Sequence, residues 1–203
     1  MKKKRLLLGK LLMLLGGAAV VCGLMLFGYN FKLERTAEKA SASALLALEQ
    51  KIEDNCAADR SKALQQLDVD GARYLGILTI PALDLTLPVQ TDWDYEKLLT
   101  APCVYTGSAQ DGNLVLLAHN YQGHFGRIDH LRQGDEVKLT DARGNVFHYS
   151  VEEVFVLEPV AVDEMTDSGY DLSLFTCTYG GKARITVRCS LQNVTDRALD
   201  KRK

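Results

Sequence analysis

The sequence has no Cys-x-x-Cys pair, and its five cysteines, Cys22, Cys56, Cys103, Cys177 and Cys189, are an odd number. A complete disulfide framework is therefore not expected. It has no large excess of charge: the formal net charge is −2 over 203 residues, which leaves no electrostatic footprint for nucleic acid. It has no internal repeat and no low-complexity tract. It has no His-Glu-x-x-His, and the spacing of His124 and His130 is not that of a zinc-binding helix. These two histidines are read as polar surface or groove-side residues. From Lys32 to Leu67 it has neither Pro nor Gly.

What is present is unevenly placed. Lys2, Lys3, Lys4, Arg5 and Lys10 crowd the start, and Leu11 to Phe31 is uncharged and mostly apolar. That run matches the roughly 20 residues a helix needs to cross a bilayer. Basic flanks stay on the cytoplasmic side, which would put the remainder outside. A cleaved signal peptide would carry a shorter apolar region ending at a small-x-small site. Lipoprotein cleavage at Cys22 would call for a residue smaller than Val21 before it. An uncleaved anchor is the expectation. Beyond it, Leu33, Ala37, Ala40, Ala44, Leu48 and Ile52 recur at three-to-four spacing in an Ala-, Glu- and Lys-rich stretch. This predicts a helix, either a stalk or packed on the following domain. Asp68-Val69-Asp70-Gly71 is a turn and marks the boundary.

From Tyr74 the pattern shortens to strands. Tyr74–Ile80 stops at Pro81. Leu85–Val89 alternates around Pro88, which suits an edge or a bulge. Asp94–Leu99 reads as a helical turn or two, Leu114–Ala118 as a strand buried on both faces, and Phe125–Leu131 as a short helix. Glu136–Thr140 and Val146–Leu157 are strands, and Pro159–Tyr170 is a loop. Several short strands at this spacing indicate a sandwich or a barrel.

Leu172–Cys177 and Arg184–Cys189 flank Gly180-Gly181, a two-residue hairpin signal. With the two glycines as the loop, Tyr179 faces Lys182, Thr178 faces Ala183, and Cys177 faces Arg184. Directly opposed Cβ atoms lie roughly 4.5–5.5 Å apart. A cation at that range favours the thiolate, which is the nucleophilic form. Arg188 would be roughly 13 Å further along the strand at about 3.3 Å per residue, so register nominates Arg184. Cys189 alternates onto the apolar face with Ile185, Val187 and Leu191 and is read as core.

Leu174-Phe175-Thr176-Cys177, the Arg on the next strand, and Leu116-Leu117-Ala118-His119-Asn120 upstream together resemble the signature of sortases, the cysteine transpeptidases of Gram-positive cell surfaces. The likeness runs from about Tyr74 to Leu191. It departs at Ser173, where a Thr is common, at Ala118, where a Gly often precedes the His, and in a short Cys-to-Arg segment. The resemblance implies a mostly β fold: a closed eight-stranded sortase-type β-barrel with short helices, preceded by a transmembrane helix and a helical stalk. The expected layout is a cytoplasmic basic segment 1–10, a membrane helix 11–31, a helical stalk or N-terminal helix 32–73, a catalytic domain 74–192 and a polar tail 193–203.

It also implies a catalytic set of His119, Cys177 and Arg184, with Asn120, Thr176 and Tyr179 contacting bound peptide. Thr176 points away from Cys177 on a regular strand, so its contribution would come through its backbone or a local twist. The expected reaction is cleavage of a sorting motif in a secreted protein through a thioester. The acyl group then passes to a peptidoglycan precursor or another surface amine. No cofactor is implied, and calcium dependence is left open, because Glu152, Glu153 and Asp163 show no coordination spacing. The expected partners are sorting-motif proteins, the amine and the lipid bilayer, with no nucleic acid. The location is a single-pass cell membrane protein with its catalytic domain outside. The sequence does not fix the sortase class, but the absence of a second apolar run after Leu191 argues against the pilin-polymerising type that often carries a C-terminal anchor. Two other readings of the same residues are a membrane-anchored cysteine peptidase (a hydrolase) and an anchored β-domain that binds peptide without catalysis.

Overall fold

The computed structural model describes residues 2–57 and 64–196. Parts of the expected stalk (58–63) and polar tail (197–203) lie outside the described residues. The chain divides into two compact units, with the division between Thr36 and Ala37. Helix α1 (Lys2–Ala57) supplies the first unit and opens the second. In the first unit the side chains from Leu11 to Phe31 are exposed, and the helix is long and apolar enough to cross a membrane.

In the second unit α1 buries Ala37, Ser41, Leu48 and Ile52. This is the stripe the three-to-four spacing marks out. Leu48 and Ile52 pack with Leu67, Val69, Tyr74 and Ile77. The stretch from Ala37 is thus a helix packed on the domain rather than a free stalk.

The remaining elements are strands β1 (Leu67–Val69), β2 (Ala72–Ile80) and β3 (Leu85–Gln90), helix α2 (Tyr95–Leu98), and strands β4 (Cys103–Thr106), β5 (Leu114–Leu117), β6 (Glu136–Asp141) and β7 (Asn145–Leu157). Helix α3 (Val162–Thr166) and strands β8 (Leu172–Cys177) and β9 (Arg184–Asp196) complete them. The nine strands form one sheet in the order β1-β2-β3-β4-β5-β8-β9-β7-β6. Pairing of β2 with β6 joins the two sides, so β2 to β9 form an eight-stranded ring with β1 outside it. At that seam Gly76 pairs with Asp141, and a Cβ there would stand 2.0 Å from the Thr140 carbonyl oxygen. Alternate residues fill the ring: Leu114, Leu116 and Ala118 after and along β5, Leu172 and Leu174 of β8, Val187 and Cys189 of β9. Cys189 is core, as its alternation predicts, and burial pushes its thiol up to about 12.

Four expectations change. The segment 125–131 is not a helix but turns followed by one 3-10 turn, Ile128–His130. The segment 159–170 is not wholly loop, because α3 lies within it. The sheet begins before Tyr74, at β1, and β9 continues to Asp196 into the expected tail. The hairpin loop is also wider than two residues. Gly181 N donates to Thr178 O (2.8 Å) and Thr178 N to Ala183 O (3.0 Å). Gly180 and Gly181 both have positive φ, 82° and 71°, which a side chain would resist. The residue count across the loop is unchanged, so Cys177 still pairs with Arg184.

Candidate active site

Three neighbouring strands carry the predicted trio. β5 and β8 are parallel, with Leu117 opposite Phe175. The pairing continues past the end of β5. Ala118 N donates to Phe175 O (3.2 Å), and Thr176 Oγ1 donates to Ala118 O (2.8 Å). Two residues beyond a parallel pair is another pair on the same face. His119 and Cys177 therefore each lie two residues beyond the Leu117–Phe175 pair, at the ends of adjacent chains. On the other side β9 sets Arg184 opposite Cys177. The inward neighbours, Ala118 and Thr176, are buried. All three of His119, Cys177 and Arg184 line one cleft of about 250 Å³.

The cleft has an apolar floor and an aromatic flank. Phe175, Leu117, Tyr105, Trp93 and Leu98 line it from one side, and Ala161, Val162 and Met165 from the β7–β8 connection. The rings of Tyr95, Trp93, Tyr105 and Phe175 form a chain with centroid spacings of 6.0, 5.9 and 5.3 Å. Glu158 is the acidic residue in the lining. Asp94 caps α2 by accepting from Lys97 N (2.8 Å), which fixes Leu98 against the cleft.

The electrostatics of the trio are asymmetric. Arg184 spends both hydrogens of Nη1 on the loop, donating to Gly181 O and Ala183 O (3.1 Å each). A guanidinium carries five donors. Nε and Nη2 have no acceptor among the described residues and remain for a bound group. Cys177 is half-buried, unlike Cys103 and Cys189, and is a free thiol. Burial holds the His119 imidazole below its ordinary range. Its ring lies 5.0 Å from that of Tyr121, and neither ring nitrogen has a hydrogen-bond partner among the described residues.

Behind His119 lies a second histidine that sequence reasoning placed at the surface or groove side. His124 is fully buried, and its Nε2 is 3.2 Å from Ser41 Oγ of α1. The Ser41 hydroxyl donates its one proton to Thr100 O. Nε2 must therefore carry hydrogen and donate to Ser41, which leaves Nδ1 bare. Nδ1 is buried and has no hydrogen-bond partner among the described residues. Burial, and then repulsion from His119, pushes His124 down to about 4. The missed signal was Ser41, which falls on the buried stripe of α1.

The three expected peptide contacts are not brought into the cleft lining. Thr176 is fully buried and its hydroxyl is committed to Ala118 O. It pins the two strand ends together and offers no side chain to a ligand. Tyr179 stands on the loop with 83% of its surface exposed. Asn120 is half-buried beyond the lining. The lining residues Tyr105 and Met165 had no sequence signal, whereas alternation along β8 places Phe175 on the face of Cys177. Among the described residues, no group of three His, Cys, Asp or Glu side chains is placed to hold a metal ion.

A closed eight-stranded ring with a long apolar N-terminal helix and a cleft at the ends of β5 and β8 defines a sortase-type fold. The sortase domain model matches residues 78–192, more than half of the chain, and the chain belongs to the sortase family. Its structure is similar to sortase C-3 of Streptococcus pneumoniae, with TM-score 0.56 and 18% identity over 82% of this chain and 93% of that one. It is similar to the sortase D5 transpeptidase of Clostridium perfringens, with TM-score 0.60 and 21% identity over 76% and 99%. It is also similar to sortase E of Streptomyces avermitilis, with TM-score 0.53 and 25% identity over 62% and 92%. No curated protein matches the chain.

Proposed function

We propose that the chain is a membrane-anchored cysteine transpeptidase whose eight-stranded ring is the closed sortase barrel. The observation that carries the reading is the placement of Cys177 between His119 and Arg184 in one cleft of a sortase fold. The Cys177 thiolate attacks a peptide carbonyl carbon in the sorting motif of a secreted protein, forming a C–S bond. Negative charge develops on the carbonyl oxygen, where the uncommitted Nε and Nη2 donors of Arg184 stabilise it. Collapse breaks the C–N bond, and the His119 imidazolium gives its proton to the leaving amine. The thioester then meets an incoming amine, from a peptidoglycan precursor or another surface group. Neutral His119 takes that amine's proton, the C–S bond breaks and the thiolate returns. The aromatic flank and the α3 wall receive the apolar part of the motif.

In the same reading residues 11–31 anchor the chain, residues 1–10 stay in the cytoplasm, and the unit from Ala37 works outside the membrane. Its exposed apolar helix and basic start support this placement. The test is hydroxylamine trapping. In the presence of a sorting-motif peptide, the protein should form a peptidyl hydroxamate, and Cys177→Ala should form none. Release of free acid only, with no hydroxamate, would identify a peptidase instead.

A further inference from the structure

We infer that Arg188 is a positioning residue that clamps the α3 wall of the cleft and so sets how tightly an apolar substrate side chain is held. The inference rests on the reading of the cleft as a peptide site. Arg188 lies on the same face of β9 as Arg184 but opposite Ser173, four residues before Cys177. It is 2% exposed and does not line the cleft.

A buried cation is costly unless its donors are used. Arg188 Nη1 donates to Met165 O (3.2 Å) and Ser173 Oγ (2.5 Å), and Nη2 to Glu164 O (2.5 Å). Its guanidinium carbon lies 5.6 Å from the centre of the Phe155 ring. No carboxylate forms an ion pair with it among the described residues. Burial pulls the guanidinium below its ordinary range, and the nearby Glu153 carboxylate opposes that shift. Two of its three acceptors are thus main-chain oxygens of one short helix.

That helix needs the help. α3 has five residues and no side-chain N-cap. A single turn gains too few hydrogen bonds to stand alone, and the last carbonyls of any helix lack internal partners. In α3, Asp163 O accepts from Asp167 N (2.8 Å) and Val162 O from Thr166 Oγ1 (3.0 Å). The Glu164 and Met165 carbonyls are satisfied by Arg188 from below. Met165, 5% exposed, packs with Val115, Leu157 and Phe175, and together with Val162 it lines the cleft. The planar fork spans two carbonyls and a hydroxyl at once, which a single ammonium on a flexible stem does not reproduce.

The test uses the full chain in detergent micelles, with Arg188→Met and Arg188→Lys. Two alkylating probes of Cys177 are compared: iodoacetamide, which needs no wall, and benzyloxycarbonyl-Leu-Ala chloromethyl ketone, which carries an apolar side chain. Both variants should raise the half-saturating concentration of the chloromethyl ketone about tenfold, with limiting rate and iodoacetamide rate unchanged within about twofold. Amide hydrogen exchange at residues 162–167 should speed up. Ser173→Ala, which removes one contact of the fork, should move the half-saturating concentration the same way by a smaller factor, and it serves if the Arg188 variants do not fold. An unchanged half-saturating concentration, unchanged exchange, or an iodoacetamide rate that falls in step would overturn the inference. Failure of hydroxylamine trapping in the unaltered protein would refute amine transfer and leave this readout intact.

Discussion

Acid should loosen this protein at His124. The ring is fully buried, its Nε2 hydrogen is held by Ser41, and its bare Nδ1 has no hydrogen-bond partner among the described residues. Protonation at Nδ1 would place a charge and an unmatched donor inside the fold, which is why the folded-state value falls to about 4 from 6.5. A group depressed in this way contributes its full stability above 6.5, and the contribution is lost as pH falls through the folded value. Integrating between those limits gives a loss of about 3 kcal/mol by pH 4. For a unit of this size that is about 6–12 °C of melting temperature. His119, also held below its ordinary range by burial, acts in the same direction.

The assay is thermal unfolding of the full chain in detergent from pH 7 to pH 4, followed through Trp93, the one tryptophan. Other groups titrate in that interval, so the comparison is with His124→Gln, whose amide can still donate to Ser41. The variant should lose about 6–12 °C less than the unaltered protein over the same interval. Parallel losses in the two proteins would show that the Ser41–His124–Thr100 junction is not the acid-labile point.

Three further outcomes follow from the geometry. Arg184→Ala should lower kcat for amine transfer about 10²–10³-fold with little change in KM, because its uncommitted donors serve developing charge. The same chemistry needs His119 protonated and Cys177 ionised together, so kcat/KM should trace a bell against pH. A flat profile between about pH 5 and 10 would refute the pair. Gly76→Ala should destabilise the fold by about 3 kcal/mol in chemical unfolding, because the added carbon would meet the backbone of Thr140 and Asp141 at the β2–β6 seam. A loss below about 1 kcal/mol would mean that the seam adjusts freely.

Local patterns made much of this legible. The apolar run 11–31, the stripe from Ala37 to Ile52 and the alternation along β8 and β9 are periodic signals, and each depends only on near neighbours in the chain. The pairing of Cys177 with Arg184 belongs with them, since the residue count across a hairpin sets its register whichever turn closes it. What local patterns do not carry depends on contacts distant in sequence. His119 meets Cys177 because β5 and β8 are parallel neighbours, and parallel pairs have no short loop to announce them. The same holds for His124, whose partners Ser41 and Thr100 lie on two other elements, and for Thr176, whose hydroxyl is spent on Ala118.

By itself, then, the order of residues determined the long N-terminal helix, most of the strands and the final hairpin, and which Cys faces which Arg. Only the closed ring decided that a histidine 58 residues before the thiol stands beside it. It also decided that Arg188 turns its charge toward the carbonyls of α3 while Arg184 faces the cleft. Both outcomes are set by strand order and burial, and neither is written in the spacing of residues along the chain.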